Sequence, residues 1–409
     1  MQKRKFFGYW IVFYTFVLMF FIFTIIKSLH SLFLVPVTED LGMERSAFSL
    51  IFTITGASVA IALPVVTKLL RYFSIRKIMV VSILMCSLGF AAYAFAQEAW
   101  QFYVIALIVG AGTAGCTNMV ISLLINNWFI ARRGLAMGIA FTGSGFGAVC
   151  IAPLLTKCLH AYGWQTSYIV CGLTMAIICV PLTFLFAYRY PSEKGQKPYQ
   201  EEGATDQDAE RVSHSGVFLK DIKKKPVFWL FLLISVLTSA TLGGVHIHIP
   251  AYLTDLGHSP SFVAMIIMIQ SVCIIIGKVL LGMIFDSFGS KAGTAFLGVT
   301  LSAAFVCLIL ASKPVFAIIF ALFYGCGATL TTVGFPYLTS SIFGQKDYTA
   351  ILGVVNIAYV IGASTGPFLS GLAYDLTGQY QITWMVYLVI FAVSITIMCF
   401  LERFIEKTM

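Results

Sequence analysis

The amino-acid sequence predicts an all-α membrane protein with about 12 transmembrane helices arranged as two six-helix repeats. Three observations predict this fold class. The composition is apolar, since 59% of the 409 residues are hydrophobic and only 11% are charged, whereas soluble domains carry about 25% charged residues. Apolar runs of the length that crosses a bilayer, about 20 residues, recur along almost the whole chain. One constant residue offset relates the two halves.

Twelve apolar runs fall into two groups of six, and we number them as spans 1 to 12. The first group covers residues 9–34, 46–69, 78–96, 100–125, 134–159 and 166–187. The second group covers residues 227–253, 261–284, 292–311, 315–342, 349–374 and 382–401. Each run is long enough to cross a membrane as a helix. Because no small-residue cleavage site follows span 1, we expect a retained span and not a removed signal peptide.

A polar segment at residues 191–225 separates the two groups of spans. It carries seven acidic and seven basic residues, so its charges cancel, which is typical of a flexible solvated linker and not of a basic binding tail. We therefore predict an N-terminal six-helix bundle at residues 1–190, a cytoplasmic linker at 191–225 and a C-terminal six-helix bundle at 226–409.

The distribution of lysine and arginine predicts the orientation in the membrane. If both termini face the cytoplasm, 21 of the 26 basic residues lie on that side and three lie on the opposite side. Because cytoplasmic loops are enriched in lysine and arginine, we expect both termini in the cytoplasm and a multi-pass protein of the plasma or inner cell membrane. The net charge of +9 is then a topology signal, and it gives no reason to expect a nucleic-acid partner.

An offset of 215 residues superimposes parts of the two halves. It aligns Asp40-Leu41-Gly42 with Asp255-Leu256-Gly257, and it aligns glycines in several spans. The aligned glycine pairs are Gly110 and Gly325, Gly112 and Gly327, Gly138 and Gly353, Gly147 and Gly362, and Gly163 and Gly378. Two halves of equal topology, repeated in parallel, are typical of transporters whose halves rock around a central site.

Catalytic and cofactor chemistry has no recognisable pattern in this sequence. The ten cysteines form no CxxC pair and lie almost all in apolar runs, so we expect neither a zinc site nor a disulfide framework. There is no HExxH, no GxSxG and no pair of intramembrane aspartates. We therefore predict that the protein is not an enzyme and holds no metal or cofactor. A sensor is a weaker alternative, because the linker and termini are too short to supply a signalling domain.

Lys27 and Lys278 are the two charged residues that lie clearly inside predicted spans. A lysine near the bilayer centre costs about 2.5–3.5 kcal/mol on the insertion scale, and all acidic residues can be assigned to loops, the linker or span ends. Each lysine can extend its side chain to an interface, and Lys278 can also pair with Asp286. The functional alternative is that both line a water-filled cavity and attract an anion such as a carboxylate.

Polar side chains recur at helical spacing in spans of both halves. In span 1, Thr24, Lys27 and Ser31 share one helical face, and His30 lies beside them. The other stripes are Asn118, Ser122 and Asn126 in span 4, Ser271 and Lys278 in span 8, and Asn356 and Tyr359 in span 11. Hydrogen bonds between helices explain any single stripe. Their concurrence in both halves favours a polar pathway that binds substrate.

Three histidines join Lys27 as candidate proton carriers. His30 is the first, and His246 and His248 are the others. Residues at i and i+2 point to opposite sides of a helix, which argues against a metal site made by His246 and His248. An unperturbed histidine titrates near pH 6.5 and so can carry a proton. A packed or backbone-bonded histidine fits the same pattern.

Two loop sequences resemble the signatures of a known family. Gly282-x-x-x-Asp286-x-x-Gly289-x-Lys291, between spans 8 and 9, resembles the cytoplasmic signature loop of the major facilitator superfamily. Residues 127–140, which include Arg132-Arg133-Gly134 and Gly138, resemble the span 4–5 signature of its monocarboxylate transporter family. That family's bacterial relatives, which include oxalate/formate exchangers, resemble the chain too. The resemblance covers all twelve spans and implies the superfamily's fold.

The resemblance implies roles for both lysines. Lys27-Ser28 matches a Lys-Ser pair of the family, whose lysine takes part in substrate and proton binding in monocarboxylate transporters. Gly277-Lys278-x-x-x-Gly282 occupies the place where the family usually has an arginine that holds the carboxylate. Lysine keeps the charge there but lacks the planar bidentate fork, so we expect a difference in affinity or in the shape of the substrate.

Two departures from the family pattern concern coupling. Proton-coupled members have an aspartate one turn before that arginine, and Ile274 stands there in this chain. The exchanger type has a lysine in span 11, and span 11 of this chain has no charge. We expect a secondary transporter in the lipid bilayer that moves a small organic anion, a monocarboxylate first, by alternating access with proton symport. The alternative is an exchanger of the oxalate/formate type or of dicarboxylates. The sequence predicts no oligomeric state.

Overall fold

The computed structural model describes residues 6–43, 45–200 and 216–408 of the chain. Within these ranges the regular structure is helical and includes no named strand, and ten segments are long and apolar enough to cross a membrane. Two segments greatly exceed the thickness of a bilayer, and each contains one glycine with non-helical backbone: Gly163 in Arg133–Phe186 and Gly289 in Pro260–Ile309. Division at these glycines gives twelve spans, in agreement with the prediction.

The first six spans begin close to their predicted positions. Span 1 is an α-helix at Gly8–Leu18 that continues as a π-helix at Met19–Ser28, a 3₁₀ turn at His30–Phe33 and a short helix at Leu34–Leu41. Spans 2 and 3 are Arg45–Tyr72 and Ile75–Ala92. Span 4 consists of two helices, Ala99–Cys116 and Asn118–Trp128. Arg133–Phe186 contains spans 5 and 6.

The last six spans follow a short helix at Leu219–Ile222. Span 7 is Pro226–Asp255, and Pro260–Ile309 contains spans 8 and 9. Span 10 is built from Pro314–Gly327, a 3₁₀ turn at Ala328–Thr331 and Gly334–Phe343. Spans 11 and 12 are Tyr348–Thr377 and Gln381–Thr408. Pro226 and Pro314 begin their helices, where a missing N–H costs nothing and the fixed φ of proline already suits a helix.

The described residues form two compact units. The first unit holds residues 6–43, 45–131 and 139–200, and the second holds residues 132–138 and 216–408. The segment Arg132–Gly138, with which span 5 begins, therefore belongs to the second unit. The predicted boundaries at residues 190 and 226 remain a prediction.

The predicted repeat appears in the backbone and packing of each unit. Gly42 and Gly257 both have positive φ, at 61° and 86°, and so do Gly163 and Gly378, at 78° and 70°. In the first unit, a Cβ on Gly110 would contact Thr55 and Ser58; in the second, a Cβ on Gly325 would contact Gln270 and Cys273. These neighbours are related by the same 215-residue offset. The offset therefore relates equivalent helix crossings in the two units.

We expect the substitutions Gly110→Ala and Gly325→Ala to destabilise the protein by similar amounts. A Cβ at Gly110 would lie 2.6 Å from the Thr55 carbonyl oxygen, and one at Gly325 would lie 2.7 Å from the Gln270 carbonyl oxygen. Backbone must move to relieve such contacts, and overpacking of this kind costs about 1–3 kcal/mol. Thermal unfolding of the purified protein measures the effect.

Gly371→Ala is the matched control for these two substitutions. Its Cβ would lie 3.6 Å from His248, which is an ordinary contact, and alanine is favoured over glycine inside a helix by about 1 kcal/mol. Gly371→Ala should therefore leave the unfolding temperature unchanged or raise it. Equal losses in all three variants would contradict the close packing of Gly110 and Gly325.

The first part of the predicted linker is fixed to the first unit by backbone contacts. The N–H of Tyr199 donates to the Trp128 carbonyl at 2.8 Å, and Gln196 Oε1 accepts a hydrogen bond from the N–H of Phe7 at 2.8 Å. The Tyr199 ring also packs against Phe129, with the ring centroids 5.9 Å apart. Residues 191–200 are thus structured, which differs from the flexible segment that the charge balance predicts.

The last part of the predicted linker is fixed to the second unit in a similar way. The N–H of Val217 donates to the Phe343 carbonyl at 3.1 Å, and the N–H of Leu219 donates to Asp347 Oδ2 at 3.0 Å. The remaining linker residues, 201–215, lie outside the described residues. Composition alone did not predict these contacts, because they depend on where the ends of spans 4 and 10 place their backbone groups.

Candidate functional site

Lys27 lies near the end of a π-helical segment in span 1. The segment covers Met19–Ser28, and its wide turns are visible in the bond from the Leu29 N–H to the Thr24 carbonyl, five residues earlier, at 2.9 Å. π-Helical turns within α-helices are rare and occur frequently at functional sites. The Lys27 side chain is exposed, and it makes no hydrogen bond or ion pair with the described part of the chain.

The wide turn places Thr24 and Lys27 in different environments. Thr24 is fully buried, and its hydroxyl donates to the Ser144 carbonyl at 3.0 Å and to the Met19 carbonyl at 3.1 Å. Lys27 and Ser31 are exposed. The three residues therefore do not present the common accessible face that α-helical spacing predicts, because the π-helix has more residues per turn than the α-helix.

His30 is buried among aromatic rings in the first unit. It is 3% exposed, and its Nε2 lies 3.0 Å from the Tyr168 hydroxyl. The rings that surround it come from spans 1, 2, 3 and 6 and from the turn after span 3: Phe33, Phe48, Phe52, Phe90, Tyr93 and Tyr168. Burying a charge in apolar surroundings is costly. This environment therefore favours a neutral, packed histidine over a proton carrier.

The polar stripe of span 4 lies where that span changes from one helix to the next. Thr117 separates the two helices with φ −119° and ψ −136°, and Asn118 begins the second. Within the described chain, Asn118 Oδ1 and Ser122 Oγ are buried without a hydrogen-bond partner. Buried polar atoms are normally paired, by protein or by water. These two atoms, one helical turn apart, therefore suit a polar ligand or a water molecule.

Lys278 is a buried residue of the second unit, with 4% of its side chain exposed. A side chain so enclosed does not extend to a surface, which argues against the snorkelling alternative for this lysine. Ser271, seven residues earlier, is exposed, and its hydroxyl donates to the Ile267 carbonyl at 2.8 Å. The predicted stripe of span 8 thus joins one accessible and one buried residue.

The polar pair of span 11 is half-buried in the second unit. Asn356 Nδ2 donates to the Leu352 carbonyl at 2.9 Å, within its own helix. Tyr359, one turn later, is also half-buried. Neither residue is sealed in the core, which is compatible with the substrate-binding role predicted from the sequence.

His246 and His248 face different partners in the second unit. His248 Nε2 lies 2.9 Å from the Pro367 carbonyl, and its Nδ1 lies 3.0 Å from the Tyr380 hydroxyl. Because a carbonyl accepts only, Nε2 carries a hydrogen and Nδ1 can accept from Tyr380. Both nitrogens are thus engaged, as expected for a structural histidine.

His246 is exposed, and its environment contains a residue that the sequence reasoning missed. Its Nδ1 lies 3.5 Å from the amide nitrogen of Gln270, which is 4% exposed. Gln270 is a polar side chain within the apolar run of span 8, and it precedes Ser271, which the sequence predicts to bind substrate. That signal was available in the sequence. No group of three or more His, Cys, Asp or Glu that suits a metal ion occurs in the described residues.

The two signature loops meet within the second unit. Asp286 Oδ1 accepts a hydrogen bond from the N–H of Gly134 at 2.8 Å, and its Oδ2 accepts from the N–H of Leu135 at 2.7 Å. These N–H groups are in the first turn of a helix, where no intrahelical acceptor exists. Gly134 and Gly282 contact each other through their backbones, and a Cβ on Gly134 would lie 2.5 Å from the Gly282 carbonyl oxygen.

The other signature residues complete this contact region. Arg132 has φ 54° and is the one described non-glycine residue with positive φ. Arg133 donates from Nη1 to Ser340 Oγ at 2.6 Å, and its guanidinium lies 4.9 Å from the centroid of the Tyr337 ring. Three further positions are Gly138, which packs on the Lys278 backbone, Gly289, with φ 80°, and the exposed Lys291.

Comparison with known proteins identifies the family. A family model described as Major Facilitator Superfamily matches residues 15–259 and 247–407 of this chain. The chain belongs to the major facilitator superfamily. It is therefore a multi-pass membrane transporter that handles a small-molecule substrate, and the superfamily fold predicted from the signature loops is confirmed.

The chain is similar to several curated transporters at low identity. Monocarboxylate transporter 13 of Bos taurus is 26% identical over 339 residues, which covers 81% of this chain and 75% of that protein. Monocarboxylate transporter 12 of Xenopus laevis is 21% identical over 371 residues, which covers 87% of this chain and 80% of that protein. The MFS-type transporter YcxA of Bacillus subtilis is 23% identical over 390 residues, which covers 91% of this chain and 90% of that protein. The predicted resemblance to monocarboxylate transporters is confirmed as a similarity of sequence.

Solved structures of the superfamily share the fold. The human organic anion transporter MFSD10 superimposes with a TM-score of 0.70 at 14% identity, covering 96% of this chain and 98% of that chain. The transporter FucP, in the outward conformation, gives a TM-score of 0.66 at 18% identity and covers 96% and 97%. These relatives are transporters and not enzymes, in agreement with the prediction.

Proposed function

We propose that this transporter carries a small organic anion, with monocarboxylates as the first substrate class. The observation that carries the proposal is Lys27, an exposed cation inside a membrane span that has no ion pair with the described residues. A cation inside a span is costly unless it has a function or a partner. An anionic substrate supplies that partner. The names of two relatives, monocarboxylate transporters 13 and 12, support the same class.

Polar residues in the same unit as each lysine are the further substrate contacts of this proposal. In the first unit, the unpaired Ser122 hydroxyl can donate to a carboxylate oxygen, and Asn118 Oδ1 can accept from a water or a hydroxyl of the substrate. In the second unit, Lys278, Ser271, Asn356 and Tyr359 are the proposed contacts. A lysine at position 278 binds as a point charge, so this site tolerates more than one carboxylate geometry.

Proton symport is the proposed coupling, and Lys27 and His246 are its best candidate carriers. Both side chains are exposed, and exposure allows proton exchange with water or substrate. His30 is enclosed by rings, and both nitrogens of His248 are engaged. These environments leave His30 and His248 as weaker candidates. We also propose that the protein lies in the plasma or inner cell membrane, with both termini in the cytoplasm.

The alternative is an anion exchanger of the oxalate/formate type or of dicarboxylates. One sequence feature favours it: Ile274 occupies the position where proton-coupled monocarboxylate transporters carry an aspartate. Each unit also carries one lysine inside a span, Lys27 in the first and Lys278 in the second, and each lysine suits a carboxylate. Exchange and symport differ in what drives uptake, so one experiment separates them.

We expect a pH gradient alone to drive accumulation of a labelled monocarboxylate in vesicles that contain the purified protein. The vesicles are alkaline inside and acidic outside, with no anion inside, and lactate is the first probe. A symporter accumulates the label above its outside concentration, and a protonophore abolishes this accumulation. Protein-free vesicles correct for diffusion of the neutral acid across lipid.

The same vesicles, preloaded with unlabelled anion and without a pH gradient, test the exchanger. Uptake that requires an anion on the inner side and ignores the pH gradient would contradict symport and support exchange. Oxalate, formate and lactate, each inside and outside, cover the proposed substrate classes. No protein-dependent uptake of any carboxylate would contradict the organic anion proposal itself.

A further inference from the structure

A groove of about 430 Å³ lies between spans 2, 3 and 4 of the first unit. This volume is in the range of about 300–1,000 Å³ that is typical of small-molecule sites. Its walls come from one face of span 2, which includes Val65, Leu69 and Phe73, and from one face of span 3, which includes Val81 and Met85. Ala111 of span 4 also lines the groove. All lining residues belong to one unit.

The groove is apolar and opens to the outside of the spans. All lining residues but Lys77 and Ser82 are apolar, and Val65, Phe73 and Val81 at its rim are 55%, 53% and 57% exposed. Side chains of this kind in a membrane span face lipid hydrocarbon. Water in such a groove finds few hydrogen-bond partners. A hydrocarbon chain is therefore the occupant that the lining favours.

The dimensions of the groove suit an acyl chain that lies along the spans. From Ala62 to Phe73 the helix rises by about 16 Å, at 1.5 Å per residue. Ala62 and Phe73 both line the groove. A chain bound along this length reaches from the membrane interior to the loop at Ser74, where spans 2 and 3 meet.

The loop end of the groove carries positive charge. Lys77 lines the groove and is exposed, whereas the Arg76 guanidinium is directed elsewhere, 4.6 Å from the centroid of the Tyr188 ring. The sequence contains no acidic residue between Glu44 and Glu98. Lysines next to a membrane surface attract anionic lipid by about 1 kcal/mol each. An apolar groove with one cation at its loop end complements a lipid that has a negative headgroup.

We propose that this groove is a binding site for an anionic phospholipid of the bilayer, with one acyl chain against Val65, Leu69, Val81 and Met85 and the phosphate at Lys77. The site is separate from the proposed substrate-binding residues, since none of those lines the groove. It does not depend on which anion the protein transports. The positive charge of the loop places the headgroup in the leaflet that the distribution of lysine and arginine predicts to be cytoplasmic.

Native mass spectrometry of the delipidated full-length protein in neutral detergent tests the proposal. Phosphatidylglycerol with long acyl chains is the probe, and phosphatidylcholine with the same chains is the comparison lipid. We expect phosphatidylglycerol to bind more tightly, and Lys77→Gln to weaken its binding about fivefold. Lys68→Gln is the matched control, because Lys68 is exposed at the same end of span 2 but does not line the groove.

Two further arms identify the part of the lipid that binds. Phosphatidylglycerol with eight-carbon chains should bind more weakly than the long-chain lipid, because it leaves the groove partly unfilled. Soluble glycerol phosphate should not compete. Equal losses in Lys77→Gln and Lys68→Gln, equal binding of the two long-chain lipids, or full competition by glycerol phosphate would each overturn the proposal. A dimer that dissociates in Val65→Trp and excludes the lipid would assign the groove to a second copy of the chain.

Discussion

Replacement of Lys27 by alanine is expected to abolish carboxylate uptake, with a loss of at least about tenfold. Hydrogen bonds to a charged group contribute about 1.5–3 kcal/mol, which corresponds to about 10–100-fold in binding. If Lys27 also exchanges the proton, its removal stops coupling as well as binding. Initial rates of uptake in vesicles of equal protein content measure the effect. Normal uptake by Lys27→Ala would contradict the proposed role of this lysine.

The fold should tolerate the Lys27 substitution. The side chain is exposed and makes no hydrogen bond or ion pair with the described residues, so its truncation removes little packing, and substitutions at such positions usually change stability by about 0.5 kcal/mol or less. Lys27→Ala should therefore unfold at the wild-type temperature. A large loss of stability would mean that the lysine supports the structure and would contradict this interpretation.

Two further variants distinguish charge from position. Lys27→Arg keeps the charge and should retain partial uptake, although a guanidinium does not release its proton. Under symport through Lys27, this variant should lose the dependence of uptake on the pH gradient while it keeps exchange of bound anion. Lys68→Ala removes an exposed lysine at the end of span 2 and should transport normally.

The sequence predicted the fold well because its main signals, the apolar runs and the internal repeat, can be recognised without knowledge of tertiary contacts. Apolar length fixes where a chain can cross a bilayer, and the 215-residue offset relates the two halves without reference to any contact. The positive φ values of Gly163 and Gly378 show that even turn geometry followed the repeat. These features depend on residues that are neighbours in the chain.

The local geometry of span 1 could not be predicted in the same way. Its π-helical segment includes Thr24, whose hydroxyl donates to the Ser144 carbonyl, 120 residues away in the sequence. Side-chain periodicity assumes an α-helix, so it placed Thr24 beside Lys27 and Ser31. Periodicity along one helix cannot predict a hydrogen bond to another span.

His30 and the linker ends show the same limit. The rings around His30 come from several spans, so its environment is a property of the packed unit. Tyr199 and Val217 pair with backbone groups at the ends of spans 4 and 10, and charge balance carries no information on such pairing. The composition of the linker predicted a solvated segment. The contacts of its ends depend on where the folded chain places their partners.

Replacement of Asp286 by alanine is expected to lower the free energy of unfolding by about 2 kcal/mol. Asp286 accepts hydrogen bonds from the N–H groups of Gly134 and Leu135. These donors are in the first turn of the helix that starts at Arg133, and they have no other backbone acceptor there. A buried donor left unpaired costs about 1–3 kcal/mol, and the negative charge at a helix N-terminus adds about 0.3–1 kcal/mol. Partial access of water reduces the sum.

Asp286→Asn separates the charge from the hydrogen bonds. Asparagine keeps one acceptor oxygen but directs an NH₂ group at the second N–H, so it should recover only part of the loss. Asp255→Ala is the matched control, because Asp255 is an exposed carboxylate at the end of span 7 and should unfold like the wild type. Thermal unfolding in detergent ranks the four proteins.

Hydrogen exchange provides a measurement that does not depend on transport or on global stability. In the wild type, the amides of Gly134 and Leu135 are protected by the Asp286 carboxylate, and the backbone contact between Gly134 and Gly282 leaves little room for water. Asp286→Ala should accelerate exchange in a peptide that covers these amides while peptides of span 12 exchange as before. Unchanged exchange at Gly134 and Leu135 would show that the carboxylate does not hold this helix start. The faster exchange that we expect would instead show that the Asp286 carboxylate holds the first turn of the helix that starts at Arg133.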